Sequence, residues 1–151
     1  MELSDNDIDR FFRGCPLYGG CLSRNQMQKV KAGSRQFYII NLDPSSGPGT
    51  HWTLLSFMDH HIGVYMDPFG EPPPESVERL MKRMRAKNVY NNSDVQSLSS
   101  VLCGYYCAFV ACKLLDGKSF ASIMKSFSPQ TSLNEQKMKQ FAHQAFSWKN
   151  P

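Results

Sequence analysis

The chain has 151 residues, 41% of them hydrophobic and 20% charged, the make-up of one ordinary globular domain large enough to bury a core. No apolar run nears the roughly 20 residues of a bilayer-spanning helix, and the acidic opening MELSDNDIDR lacks a basic or apolar leader, so neither a membrane span nor secretion is expected. A net charge of +4 permits a polyanionic partner without demanding one, and five cysteines, an odd count, favour reduced thiols over a disulfide framework.

In chain order, Ser4 and Asp7 have the spacing of a capping box, with Leu3 and Ile8 as its hydrophobic staple. They open a helix whose apolar face is Ile8, Phe11 and Phe12 and which stops at Gly14. Residues 14–35 read as irregular. A β-rich run, 36–42, precedes a turn-rich stretch, 43–50. Strands are expected over 51–58 and 62–67, joined tightly through Asp59, His60 and His61 and therefore antiparallel. Val77, Leu80, Met81 and Met84 recur at helical spacing within 75–87, and Arg79, Lys82, Arg83, Arg85 and Lys87 make that helix's basic face. A short strand is expected over 88–92, a buried apolar helix from Cys103 to about Leu115, and a short helix over 119–127. The last helix starts at Ser132, with Glu135 completing a second capping box, and buries Met138, Phe141, Ala142 and Ala145. Strands grouped in the middle, with helices before and after, give an α+β class in a single domain, 1–151.

Three of the five cysteines fall between positions 103 and 112. Cysteine is a common core residue, and Cys107 and Cys112, flanked by Ala, Phe and Val, read as packing. Cys103 differs because it opens the helix. Unpaired N–H groups and the positive end of the macrodipole act on it there, and such positions bring a thiol from about 8.5 into the range of roughly 3.5–7.5. Gly104 beside it lets another backbone or a substrate come close.

Among four histidines, His60 and His61 sit in a turn and His143 in the last helix. His51 opens a strand after a flexible-looking loop, where scaffolds commonly present functional groups. Asp67 closes the same hairpin at matching parity, so an odd connection puts both side chains on one face. A carboxylate there would orient the imidazole. Asp67 equally suits a turn-starting residue before Pro68. Gln96 is either a surface glutamine or a donor to an oxyanion. Cys15, Cys21, His60 and His61 lack metal-ligand spacing, so no metal site is expected.

The order His51-Trp52, Asp67-Pro68-Phe69-Gly70, Gln96, Cys103-Gly104, together with the GCPLYGG segment near the start, resembles the adenovirus-type (adenain-like) cysteine proteases, which share their papain-like fold with the deconjugases of ubiquitin-like proteins. The resemblance runs over roughly residues 3–145. It implies a central, mainly antiparallel mixed sheet packed on helices, with the catalytic cysteine at the N-terminus of a buried helix. It implies His51 as general base, Asp67 as its orienter, Gln96 as oxyanion donor and Cys103 as nucleophile. Trp52 and Gly104 would be substrate-binding, Trp52 walling a groove that favours glycine before the scissile bond. Two departures stand out. The acid is aspartate, as in the deconjugases, where adenovirus enzymes usually carry glutamate, and the chain is shorter after the catalytic helix.

The function implied is a cysteine endopeptidase maturing viral capsid or core precursors at Gly-containing sites, acting as a monomer in the virion and in the nucleus or cytoplasmic factory of an infected cell. Alternatives are a deconjugase of a ubiquitin-like protein or a binding module that keeps the fold without catalysis. The sequence itself requires no cofactor. The resemblance adds DNA or a viral peptide as an activator, and a DNA contact would fall on the basic face at Arg79, Lys82, Arg83, Arg85 and Lys87, phosphate-directed and salt-sensitive.

Overall fold

The strand Trp52–Ser56 (β3) alternates Trp52 and Leu54 on one face with Thr53 and Leu55 on the other, and all of them are buried. A strand buried on both faces must be central, with a layer on each side. In the computed structural model, which describes residues 2–42 and 51–149, the expected turn-rich stretch 43–50 lies outside the described residues. The sheet has five strands in sequence order: β1 (Tyr18–Ser23), β2 (Phe37–Asn41), β3, β4 (Ile62–Met66) and β5 (Lys87–Tyr90). The β2–β3 and β3–β4 pairs at its centre are antiparallel, and the two edge pairs are parallel. The architecture is α+β, as expected.

On one face Phe37, Ile39, Leu54 and Met66 pack against α1 (Asp5–Phe11), α3 (Cys103–Leu115), α4 (Phe120–Lys125) and α5 (Thr131–Ala145). On the other, Tyr38, Ile40, Leu55 and Tyr65 meet Met27, Val30 and the helix α2 (Glu75–Met84) through Val77, Leu80 and Met81. The capping box at Ser4 and Asp7 is formed. Leu3 is buried, and its carbonyl accepts the Trp52 indole N–H at 3.0 Å, tying the start of α1 to β3. No helix among the described residues is long and apolar enough to cross a membrane.

Three expectations need correction. Residues 14–35 are not all irregular, because β1 pairs with β2 there, with a register shift between Tyr18 and Cys21. Its glycines, Gly19 and Gly20, offer no side-chain alternation to read. The second is the helix 75–87, which stops at Met84. Arg85 is extended, at φ −143° and ψ 144°, and its guanidinium turns inward. It donates to the carbonyls of Phe57 at 2.7 Å, Asp59 at 2.9 Å and Ser34 at 3.1 Å. Lys87 belongs to β5. The five-residue basic face therefore does not form: Arg79, Lys82 and Arg83 remain on α2, with Arg79 and Lys82 in i,i+4 pairs with Glu75 and Glu78. Thirdly, α5 begins at Thr131 without a side-chain cap. Glu135 instead accepts the Tyr106 hydroxyl from α3; a tertiary partner has displaced the local one.

Candidate active site

Cys103 is the first residue of α3, and its thiol accepts the Trp52 backbone N–H at 3.4 Å. β3 thus begins against the start of the helix, and His51, one residue earlier, is carried to the sulfur. Leu54 pairs with Met66 and Leu55 with Tyr65, so the same register continued by one step sets Thr53 against Asp67, with His51 of the same parity beyond it. The five-residue connection 57–61 is odd, as this requires. His51 Nε2 meets Asp67 Oδ1 at 3.0 Å. With Nε2 so engaged, Nδ1 is the nitrogen left to face the thiol. Burial alone would lower the imidazole pKa, but hydrogen bonds to Asp67 and then Cys103, together with their charges, carry it up to about 9. Both partners thus favour the protonated imidazole beside the sulfur.

The other thiols sit in different surroundings. Burial pushes Cys107 well above the ordinary range, as does the charge of Cys103. Burial likewise pushes Cys112 up to about 11 and, with the charges of Asp9 and Asp5, Cys21 up to about 12. All five cysteines are reduced.

The segment Asp67-Pro68-Phe69-Gly70 has a separate task for each residue. Asp67 is 1% exposed, and its Oδ1 accepts the Phe69 N–H at 2.8 Å as well as the imidazole. One oxygen of Asp67 thus both closes the turn and contacts the imidazole. The Pro68 carbonyl accepts the N–H groups of Val95 and Gln96 at 2.9 and 3.1 Å. Phe69 stacks on the His51 ring, with centroids 4.9 Å apart. Gly70 has φ +79°, and a Cβ there would lie 2.6 Å from the Ser93 carbonyl carbon, so glycine answers both to backbone sign and to close approach.

Gln96 is wholly buried, not a surface residue. Its Nε2 donates to the Ser100 carbonyl at 3.2 Å and to Ser100 Oγ at 3.1 Å. Upstream, the Val95 carbonyl is held by Asn134 Nδ2 at 2.9 Å and by the Tyr106 hydroxyl at 3.3 Å, so α3 and α5 fix the segment that presents Gln96. The side chains that approach Gly104 belong to the protein itself: a Cβ there would meet Leu3 at 3.1 Å and Trp52 at 3.2 Å. Trp52 is buried against them.

Sequence reasoning passed over Phe69, Asn91, Ser100 and Asn134. Phe69 lay within a quoted motif, and its stacking depends on where β3 delivers His51. Asn91 lay in the expected strand over 88–92 and Asn134 in the expected last helix, each an ordinary polar position there. Among the described residues no cluster of His, Cys, Asp or Glu could hold a metal ion.

No family model matches the chain, and no curated protein does. Solved structures do. Two crystal structures of the ASFV pS273R protease, one of them the selenomethionine form, align with 95% of this chain and 66% of theirs. Their TM-scores are 0.63 and 0.60, at 19% and 16% identity. The central domain of the uncharacterized Lpg1148 protein from Legionella pneumophila aligns over 97% of this chain and 98% of its own, at 13% identity and TM-score 0.49. The chain spans 66% of the length of the ASFV protease structures, and what it shares with them is the fold.

Proposed function

We propose that this chain is a cysteine endopeptidase, with Cys103 as nucleophile, His51 as general acid–base, Asp67 as its orienter and Gln96 with the Cys103 backbone N–H as oxyanion donors. The observation that carries the reading is the His51 imidazole held at 3.0 Å by buried Asp67 while hydrogen-bonded to the thiol at the head of α3. The shared fold with a protease supports it.

The Cys103 sulfur, as thiolate beside the imidazolium, attacks the scissile carbonyl carbon. A C–S bond forms and the carbonyl π pair moves to oxygen. Gln96 exchanges its bond to Ser100 Oγ for one to this oxyanion, whose stabilisation by a single donor is worth about 2.7–4 kcal/mol. As the oxyanion collapses, the C–N bond breaks and the His51 proton goes to the leaving amine, giving an acyl-enzyme. Water then attacks, His51 takes its proton, and the thiolate leaves.

Viral precursor proteins cut at Gly-containing sites during virion maturation, in the virion and the infected cell, are the substrates proposed. Trp52 and Gly104 shape the approach to Cys103 by setting how the start of α1 packs on α3.

Iodoacetamide labelling at about pH 6, mapped by mass spectrometry, tests the pair, because an ordinary thiol near 8.5 reacts slowly there. Fast labelling confined to Cys103 and slowed in His51→Ala is expected. Labelling of Cys103 at the same rate with and without His51, or faster labelling of Cys21, would rule the reading out.

A further inference from the structure

Asn91 follows the last residue of β5. The parallel β4–β5 register ends at Tyr65 paired with Tyr90, and beyond it the chain leaves the sheet to run past Gly70. Asp67, just past the end of β4, still has a peptide N–H to satisfy in a residue that is 1% exposed, and its carbonyl, which accepts the Gly70 N–H of the turn at 2.8 Å, has a second lone pair to fill. The side-chain amide of Asn91 carries the same donor–acceptor pair as a peptide, and it fills both needs. Asp67 N–H donates to Asn91 Oδ1 at 3.1 Å, and Asn91 Nδ2 donates to the Asp67 carbonyl at 2.6 Å. Nδ2 also donates to the Ser93 carbonyl at 3.2 Å, and the Ser93–Asp94 backbone is what presses on Gly70. Asn91 is itself buried.

We propose that Asn91 is a positioning residue for catalysis, clamping the Asp67 backbone at both polar atoms so that the Asp67 carboxylate stays on His51 Nε2. The proposal rests on the catalytic reading of His51, Asp67 and Cys103. The carboxylate hangs from the Asp67 Cα through only two rotatable bonds, so the clamp largely sets where Oδ1 lies. Beside the imidazole, Oδ1 accepts the Phe69 N–H, and the Asp67 carbonyl accepts the Gly70 N–H, both within the turn that Asn91 helps to hold. Small displacements of catalytic groups are costly: about 1 Å can lose about 10²-fold in rate.

The test is an NMR titration of the His51 ring in the full chain, its signal assigned by its absence in His51→Gln. The groups whose charges act on His51 are Asp67, from the end of β4, and Cys103, from α3. In wild type the midpoint is expected near 9. Asn91→Ala is expected to lower it by about one pH unit or more, the least that an opposed charge in good geometry supplies. The signals of His60, His61 and His143 should not move. Asn91→Ser, a change that retains a polar group facing Asp67, should shift it less, and it decides the question should the alanine variant not fold.

A folded variant whose His51 midpoint stays at the wild-type value would overturn the positioning role and leave the catalytic reading standing. A wild-type midpoint near the ordinary 6.5, with Cys103 inert to iodoacetamide, would overturn both. A merely structural asparagine would lower the unfolding temperature and leave the midpoint in place.

Discussion

Cys103 and Cys107 lie one turn apart on α3, in the same apolar cluster, 3% and 0% exposed. One thiol accepts the Trp52 N–H and meets His51. The other is pushed far up by burial, and no cation is among the charges that act on it. Depth is shared, so depth does not distinguish them. What differs is position along the helix: the first turn opens towards the ends of β3 and β4, where polar backbone and His51 arrive, whereas the second turn faces only packed side chains. The proposed nucleophile lies where the sheet ends, and the packing cysteine lies where the sheet continues.

The largest effect should come from breaking that contrast directly. Cys103→Ala is expected to abolish peptide cleavage to background in an assay with Gly-containing peptides, while Cys107→Ala retains it. Next, Gln96→Ala should cost about 10²–10³ in kcat and leave iodoacetamide labelling of Cys103 intact, separating the oxyanion from the nucleophile.

The pH dependence comes third. His51 must hold a proton for the leaving amine, so kcat should fall as pH rises through about 9. The linked stability has the same sign. The folded-state value lies above the ordinary 6.5, so the stabilisation is complete below about 6.5 and is lost as pH rises through about 9. Urea unfolding at pH 6 and pH 10 should show this loss in wild type. The His51 share of it should shrink in Asp67→Asn, leaving the part owed to Cys103, and an identical pH slope in that variant would contradict the assignment.

Gly70→Ala should destabilise by about 1–3 kcal/mol through backbone strain, with more from the clash at Ser93, read as a lowered Tm. The smallest effect is the stability cost of Cys107→Ala, about 1 kcal/mol, measured in the same denaturant series.

Much of this arrangement was legible in the chain itself. The limits of α3 follow from a largely apolar run between polar SLSS and Asp116-Gly117. The shared face of His51 and Asp67 follows from period-two alternation across a short odd connection. The capping box at Ser4 follows from spacing within four residues. These are local properties: each depends on neighbours a few positions away, and consecutive side chains record it directly.

Other features were decided only when distant segments met. Strand β1, the early end of α2 at Met84, the turn of Arg85 onto three carbonyls and the diversion of Glu135 to Tyr106 all answer to partners remote in sequence. So does Asn91, whose sequence context reads as part of a short strand and whose amide completes the sheet at Asp67. A buried peptide group must find a hydrogen bond, but which side chain supplies it depends on where another strand happens to stop. By itself the sequence determined the central strands, the places of the helices and the shared face of His51 and Asp67. The tertiary structure decided which buried polar groups were left for Asn91, Asn134 and Arg85 to satisfy, because that is set by how the elements terminate against one another.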